Sequence, residues 1–163
     1  MSKQTELVSM SKNKFHGDYE TALIEQWKTC VEAANGISEN RNTANNFFMS
    51  INTALLAFLV SPIENKGIVL CVIGIAICIL WFFTIQNYKK LNSVKFHIVN
   101  DIEKMLPLAP FTYEWKQLKT KEKYIGLTKI EKYIPWAFVA MYFIIAICPL
   151  IRSLAHLTKQ TVS

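Results

Sequence analysis

Residues 67–85 read GIVLCVIGIAICILWFFTI, a run of 19 positions without a charge. A helix needs about 20 residues at roughly 1.5 Å each to cross a hydrocarbon core of about 30 Å. This run meets that length and offers water no polar face, so a small soluble domain could not cover it. The segment immediately before it, residues 61–67 (SPIENKG), is long enough to turn a helical hairpin and nothing else. The preceding block, residues 44–63 (ANNFFMSINTALLAFLVSPI), holds Asn45, Asn46, Ser50, Asn52 and Thr53 among its apolar residues. On its own it could be the buried helix of a soluble domain. Joined to its neighbour by so short a turn, it crosses the membrane with it. A third uncharged block, IPWAFVAMYFIIAICPLI, spans residues 134–151.

Composition agrees. Of 163 residues, 52% are apolar and 18% charged, against roughly 25% charged in a soluble domain, and mean hydropathy is +0.21. Disorder, a basic nucleic-acid-binding tail and a collagen-like fibre are excluded. Four cysteines are too few and too badly placed for a disulfide scaffold. Cys71, Cys78 and Cys148 lie in spans as small apolar residues, and Cys71 and Cys78, seven apart on one helix, cannot bridge each other. Cys30 reads as a reduced cytoplasmic thiol.

The net charge of +6 follows from topology. Residues 1–43 and 86–133 together hold 15 of the 18 Lys and Arg. With three spans both regions face one side, which the positive-inside bias makes cytoplasmic. No nucleic-acid partner is needed. No signal peptide is expected, since the first 40 residues lack an apolar core of the required length. Trp81, Phe82, Phe83, Tyr88, Tyr133 and Trp136 fall where an interfacial aromatic belt would put them.

The soluble parts carry helical periodicity. Leu23, Trp27, Cys30, Val31, Ala34 and Ile37 mark one face of a helix that runs on into the first span. Leu91, Val94, Ile98, Ile102 and Met105 repeat the pattern after the second span, until Pro107 and Pro110 end it. A loop holding Tyr113, Glu114 and Trp115 is expected next. The chain thus divides into a flexible polar N-terminus (1–18), a cytoplasmic amphipathic helix (19–43) and spans one (44–63) and two (67–87). A cytoplasmic helix with its proline-rich loop and basic segment follows (88–133), then span three (134–152) and an external tail (153–163). The expected fold is an all-α membrane protein whose three transmembrane helices carry long amphipathic cytoplasmic extensions, assembled as a symmetric homo-oligomer. The N-terminus is expected inside and the C-terminus outside the bacterial inner membrane.

No catalytic set, cofactor site or metal site is legible. His16, His97 and His156 do not converge in this topology, and no HExxH, CxxC, GxSxG or phosphate-loop pattern occurs. His97 and Asp101 read as a surface hydrogen bond. An enzyme would require residues hidden between Pro107 and Lys123, and none is expected. The informative polar residues lie on span one. Arg41, Asn45 and Asn52 recur at steps of four and seven, and Asn42, Asn46 and Thr53 do so one position later. Such a stripe should face protein or water rather than lipid. Two readings fit: hydrogen bonding at a packing interface, or the lining of a pore formed by several copies. Gly67, Cys71, Gly74 and Cys78 form a strip of small residues on span two, suited to close packing within the hairpin or between copies. Trp27 and Trp115 are candidate docking residues for a cytoplasmic protein partner. The remaining expected partners are membrane lipids and further copies of the chain.

The segment EQWKTCVEAANGISENRNTANNFFMSINTALLAF, residues 25–58, resembles the start of RipA-like small bacterial membrane proteins, a group named as octameric. LPLAPFTYEWKQL, residues 106–118, is a second signature with paired prolines before Glu-Trp. With the spans, the likeness covers roughly residues 20 to 150. It implies a homo-oligomer of the cytoplasmic membrane, an octamer by the group's name, with no settled biochemical activity. The layout also resembles the two-span effector domains of bacterial nucleotide-signalling defence systems, which form pores, although the third span here is longer than theirs.

Overall fold

Asp18 begins the first helix. Its Oδ1 accepts hydrogen bonds from the N–H groups of Glu20 (3.1 Å) and Thr21 (3.2 Å), and its Oδ2 accepts one from the Thr21 hydroxyl (2.6 Å). These bonds satisfy donors that every helix start leaves orphaned. Gly17, at φ +137°, turns the chain into the cap through a conformation that side chains disfavour. Helix α1 then runs Tyr19–Val60, 42 residues and about 63 Å long. Gly36 interrupts neither the helix nor its packing.

The structure, a computed structural model, describes residues 7–60, 67–120 and 127–161. After α1 come α2 (Gly67–Glu103), α3 (Pro110–Thr120), α4 (Leu127–Glu131) and α5 (Ile134–Thr161). No strand occurs among the described residues. Three stretches are long and apolar enough to cross a membrane, within Tyr19–Val60, Gly67–Glu103 and Lys129–Ile147, with mean hydropathies of 1.3, 3.0 and 1.5. The expected hairpin turn (61–66), part of the basic segment (121–126) and the Cys148 side chain lie outside the described residues.

One expectation needs correction. Tyr113, Glu114 and Trp115 do not lie in a loop but in α3. Pro110 opens that helix, where its missing N–H costs nothing. The cap comes from far upstream: the Glu103 carboxylate accepts the N–H groups of Phe111 and Thr112, both at 3.0 Å, and the Thr112 hydroxyl at 2.8 Å. A carboxylate supplied from the end of α2 leaves no local capping signature in the sequence. The segment 153–163, expected as an external tail, is helical as far as Thr161. Arg152 ends the apolar run, but nothing from Arg152 to Thr161 breaks a helix.

The chain divides into two units, Met1–Glu39 with Lys89–Tyr124, and Asn40–Tyr88 with Ile125–Ser163. In the first, Ala34, Val99, Ile102 and the Glu103 carboxyl are buried. Phe111 packs against Trp27 (ring centroids 6.1 Å apart) and Phe96 (5.9 Å). The α1 face expected from Leu23 to Ile37 turns inward as its period requires. The α2 stripe does not. Ile102 is buried, but Leu91, Val94 and Met105 are exposed, because the inward line passes through Asn92, Phe96, Val99 and Glu103, roughly 100° around the helix. Ser38 Oγ meets that line at Asn92 Oδ1, 3.5 Å away.

The second unit is built around Cys71, Cys78, Val139 and Tyr142, with Leu55, Leu59, Ile75 and Phe138 packed against them. Outside this core it exposes many large apolar side chains, among them Val69, Val72, Leu80 and Ile144, each more than 60% accessible. Water would not tolerate that surface on a soluble domain, and lipid would.

Candidate functional site

Between Asn40 and Val60, the one buried residue of α1 is Asn52, and it is polar. Its Oδ1 accepts from the Tyr142 hydroxyl of α5 (2.9 Å) and from the Cys78 thiol of α2 (3.2 Å). Its Nδ2 donates to the Phe48 carbonyl of its own helix at 2.8 Å. One amide therefore ties all three apolar helices together. In hydrocarbon such bonds hold because the alternative is an unsatisfied polar group.

Seven residues earlier, Asn45 Oδ1 accepts the Trp81 indole N–H at 2.9 Å. The Trp81 ring is fully buried, stacked on Phe48 (5.9 Å, 10° between planes) and tilted against Phe138 (5.9 Å). Trp81 is thus a core residue and not part of an interfacial belt. Tyr133 and Trp136 remain exposed. Four residues before Asn45, Arg41 Nε lies 3.7 Å from Glu131 Oε2 of α4, with both side chains at most 15% accessible. Arg41, Asn45 and Asn52 together form one inward line over about 16 Å of helix.

The second line behaves differently. Asn42, Asn46 and Thr53 are all exposed, and none bonds by its side chain to another described residue. The stripe legible in the sequence is therefore two stripes, rotated by about 100°. One is consumed within the chain, and the other points away from it.

The small strip on α2 is also used internally. Cys71, Gly74 and Cys78 are buried, and Gly67 is half-buried at the end. A side chain on Gly74 would run into the Tyr142 ring, whose Cε1 and Cε2 lie 2.6 and 2.7 Å from an ideal Cβ position. Gly74 is the seat that lets Tyr142 reach Asn52. Sequence reasoning missed Tyr142, although Pro135, Val139 and Tyr142 repeat at a helical period and all three are buried.

Of the two docking candidates, Trp27 packs on Phe111, and its buried Nε1 finds no hydrogen-bond partner among the described residues. Trp115 is 48% exposed, with the Lys119 ammonium 5.1 Å over its ring. His97 Nδ1 and Asp101 Oδ2 lie 3.4 Å apart on the surface of α2. Asp101 also takes a 2.6 Å bond from Lys104, which first of all holds its carboxyl below the usual range. No group of three or more His, Cys, Asp or Glu suited to a metal exists among the described residues.

The family model described as the octameric membrane protein family matches residues 24–151. No curated protein and no solved structure matches the chain.

Proposed function

Because this chain belongs to the octameric membrane protein family, we propose that it is a non-enzymatic bacterial inner-membrane protein whose copies form a channel-like ring. The exposed α1 line, Asn42, Asn46 and Thr53, faces the ring axis or the next copy. One observation carries this reading: the inward line is used by Glu131, Trp81, Cys78 and Tyr142, while the outward line lies on an apolar helix with no side-chain bond to another described residue. Facing lipid, amides are unfavourable; facing water or a second copy, they are satisfied. The family's name supplies the number eight. The concentration of Lys and Arg in residues 1–43 and 86–133 supports a cytoplasmic position for both regions.

The test is ion flux from liposomes holding the full chain, read together with oligomer size. Asn46→Leu with Asn42→Leu is expected to abolish flux while assembly persists if the line borders a conduit, and to disperse the oligomer if it borders a neighbour. Unchanged flux and unchanged size would overturn the reading. A second reading, a platform for a cytoplasmic protein, is favoured by the exposure of Leu108, Tyr113 and Trp115 in and beside α3. Under it, Trp115→Ala loses a partner in pull-down and leaves flux untouched.

A further inference from the structure

The start of α5 and the short α4 before it carry a surface that the ring reading does not use. Glu131, the only acidic residue from Leu127 to Ile151, turns inward to Arg41. Lys129 stays exposed and Lys132 lies partly so, its ammonium 4.9 Å over the exposed Tyr133 ring. Neither lysine is ion-paired to a described residue. Trp136 is 53% exposed, its ring held edge-on by Phe82 at 5.8 Å. Below these groups the same face of α5 continues through Ala137, Ala140 and Ile144, all exposed. Tyr133 and Ile144 are eleven residues apart, about 16 Å along the helix and close to the roughly 15 Å depth of one leaflet.

The geometry points to a binding face for an anionic phospholipid: Lys129 and Lys132 meet the headgroup phosphate, Tyr133 and Trp136 flank the glycerol level, and an acyl chain lies over Ala140 and Ile144. Charge selects this occupant. With Glu131 withdrawn, the charges left on the described part of α4 and at the start of α5 are the two lysines, and an uninterrupted apolar track leads down from them. An acidic protein would match the lysines but not the track. A second copy in a ring would meet this face with a different one, an outcome that oligomer size reads. The inference needs only the membrane location, so its failure leaves the ring untouched.

The experiment measures lipid retention by native mass spectrometry on the full chain released from micelles. Phosphatidylglycerol and phosphatidylcholine with identical acyl chains compete at low salt. A lysine near an anionic surface contributes about fivefold, so the pair should favour phosphatidylglycerol by about twenty-five-fold. Lys129→Gln with Lys132→Gln should bring the ratio near one. Lys12→Gln with Lys28→Gln, an equal charge loss in the other unit, should leave it intact. Trp136→Ala should weaken both lipids and preserve the ratio. No preference in the wild type, or a preference that survives in the Lys129/Lys132 variant, would overturn the proposal. So would a variant that changes oligomer size and not the lipid ratio, which would make this face a contact between copies.

Discussion

In the unit formed by Asn40–Tyr88 and Ile125–Ser163, the polar groups that reach the core are neutral: the Asn52 and Asn45 amides, the Tyr142 hydroxyl and the Trp81 indole. In the other unit the buried polar group is a carboxylate, Glu103. Both solve the same task, joining helices that share little sequence signal, and the solvent decides the chemistry. A charge at bilayer depth is expensive, whereas an amide and a hydroxyl can satisfy each other. A carboxylate that accepts three hydrogen bonds outside the membrane is well compensated. The one ion pair among the described residues of the spanning unit, Arg41 with Glu131, fits the rule, since it stands about 16 Å along α1 from Asn52.

Packing separates the units most sharply at their glycines. Gly74→Ala drives a methyl into the Tyr142 ring, which is completely buried and tied to Asn52, so the ring cannot swing aside. Overpacking of this kind costs about 1–3 kcal/mol, and a broken Tyr142 bond adds roughly 0.6–1.7 kcal/mol. Gly36→Ala in the other unit meets open space and should stabilise α1 by up to about 1 kcal/mol through helix propensity. Thermal unfolding midpoints in one detergent should therefore move in opposite directions. A shift of the same sign in both variants would break the contrast.

How much of this was legible follows from range. Residues 67–85 announce a span because apolar content is a local property, and α1 announces its inward face from Leu23 to Ile37 because a helix period is local too. The α2 stripe from Leu91 misled because its apolar residues outnumber the polar and aromatic ones on the true inward line, Asn92 and Phe96 among them. The polar residues of α1 were visible as a set, but dividing them into an inward and an outward line requires knowing where Trp81 and Tyr142 stand. α3 was missed for the same reason. Its cap, Glu103, sits eight residues before Phe111, and no local rule for helix starts looks that far upstream.

The next comparison sets Glu103→Ala against Tyr142→Phe. Removing Glu103 orphans the first amides of α3, an 11-residue helix too short to persist alone. A loss of about 1.5–3 kcal/mol is expected, seen as rapid hydrogen exchange across residues 111–120. Tyr142→Phe removes one bond to Asn52 and leaves the ring on Gly74, so about 0.6–1.7 kcal/mol is expected. Its exchange signature should stay near Asn52 and Cys78. If Tyr142→Phe proved the more damaging, the neutral network would be the stronger device and the argument from solvent would fail.

Acid gives the smallest effect and the cleanest separation. Hydrogen bonds from the Thr21 hydroxyl and amide hold the Asp18 carboxyl below the usual carboxylate range, and the Lys104 bond does the same for Asp101. Because both groups bind protons less readily folded than unfolded, their contribution is complete above the ordinary value of about 4. It disappears as pH falls through the lower, folded values. Amides in the first turn of α1 should therefore lose hydrogen-exchange protection as pH falls below about 4, after correction for intrinsic rates. Those around Asn52, held by groups that stay neutral across that range, should not. Asp18→Asn supplies the control, since it keeps a capping oxygen and removes the titration. In that variant the first-turn response should vanish, and if it persisted, acid would be acting on something other than the cap.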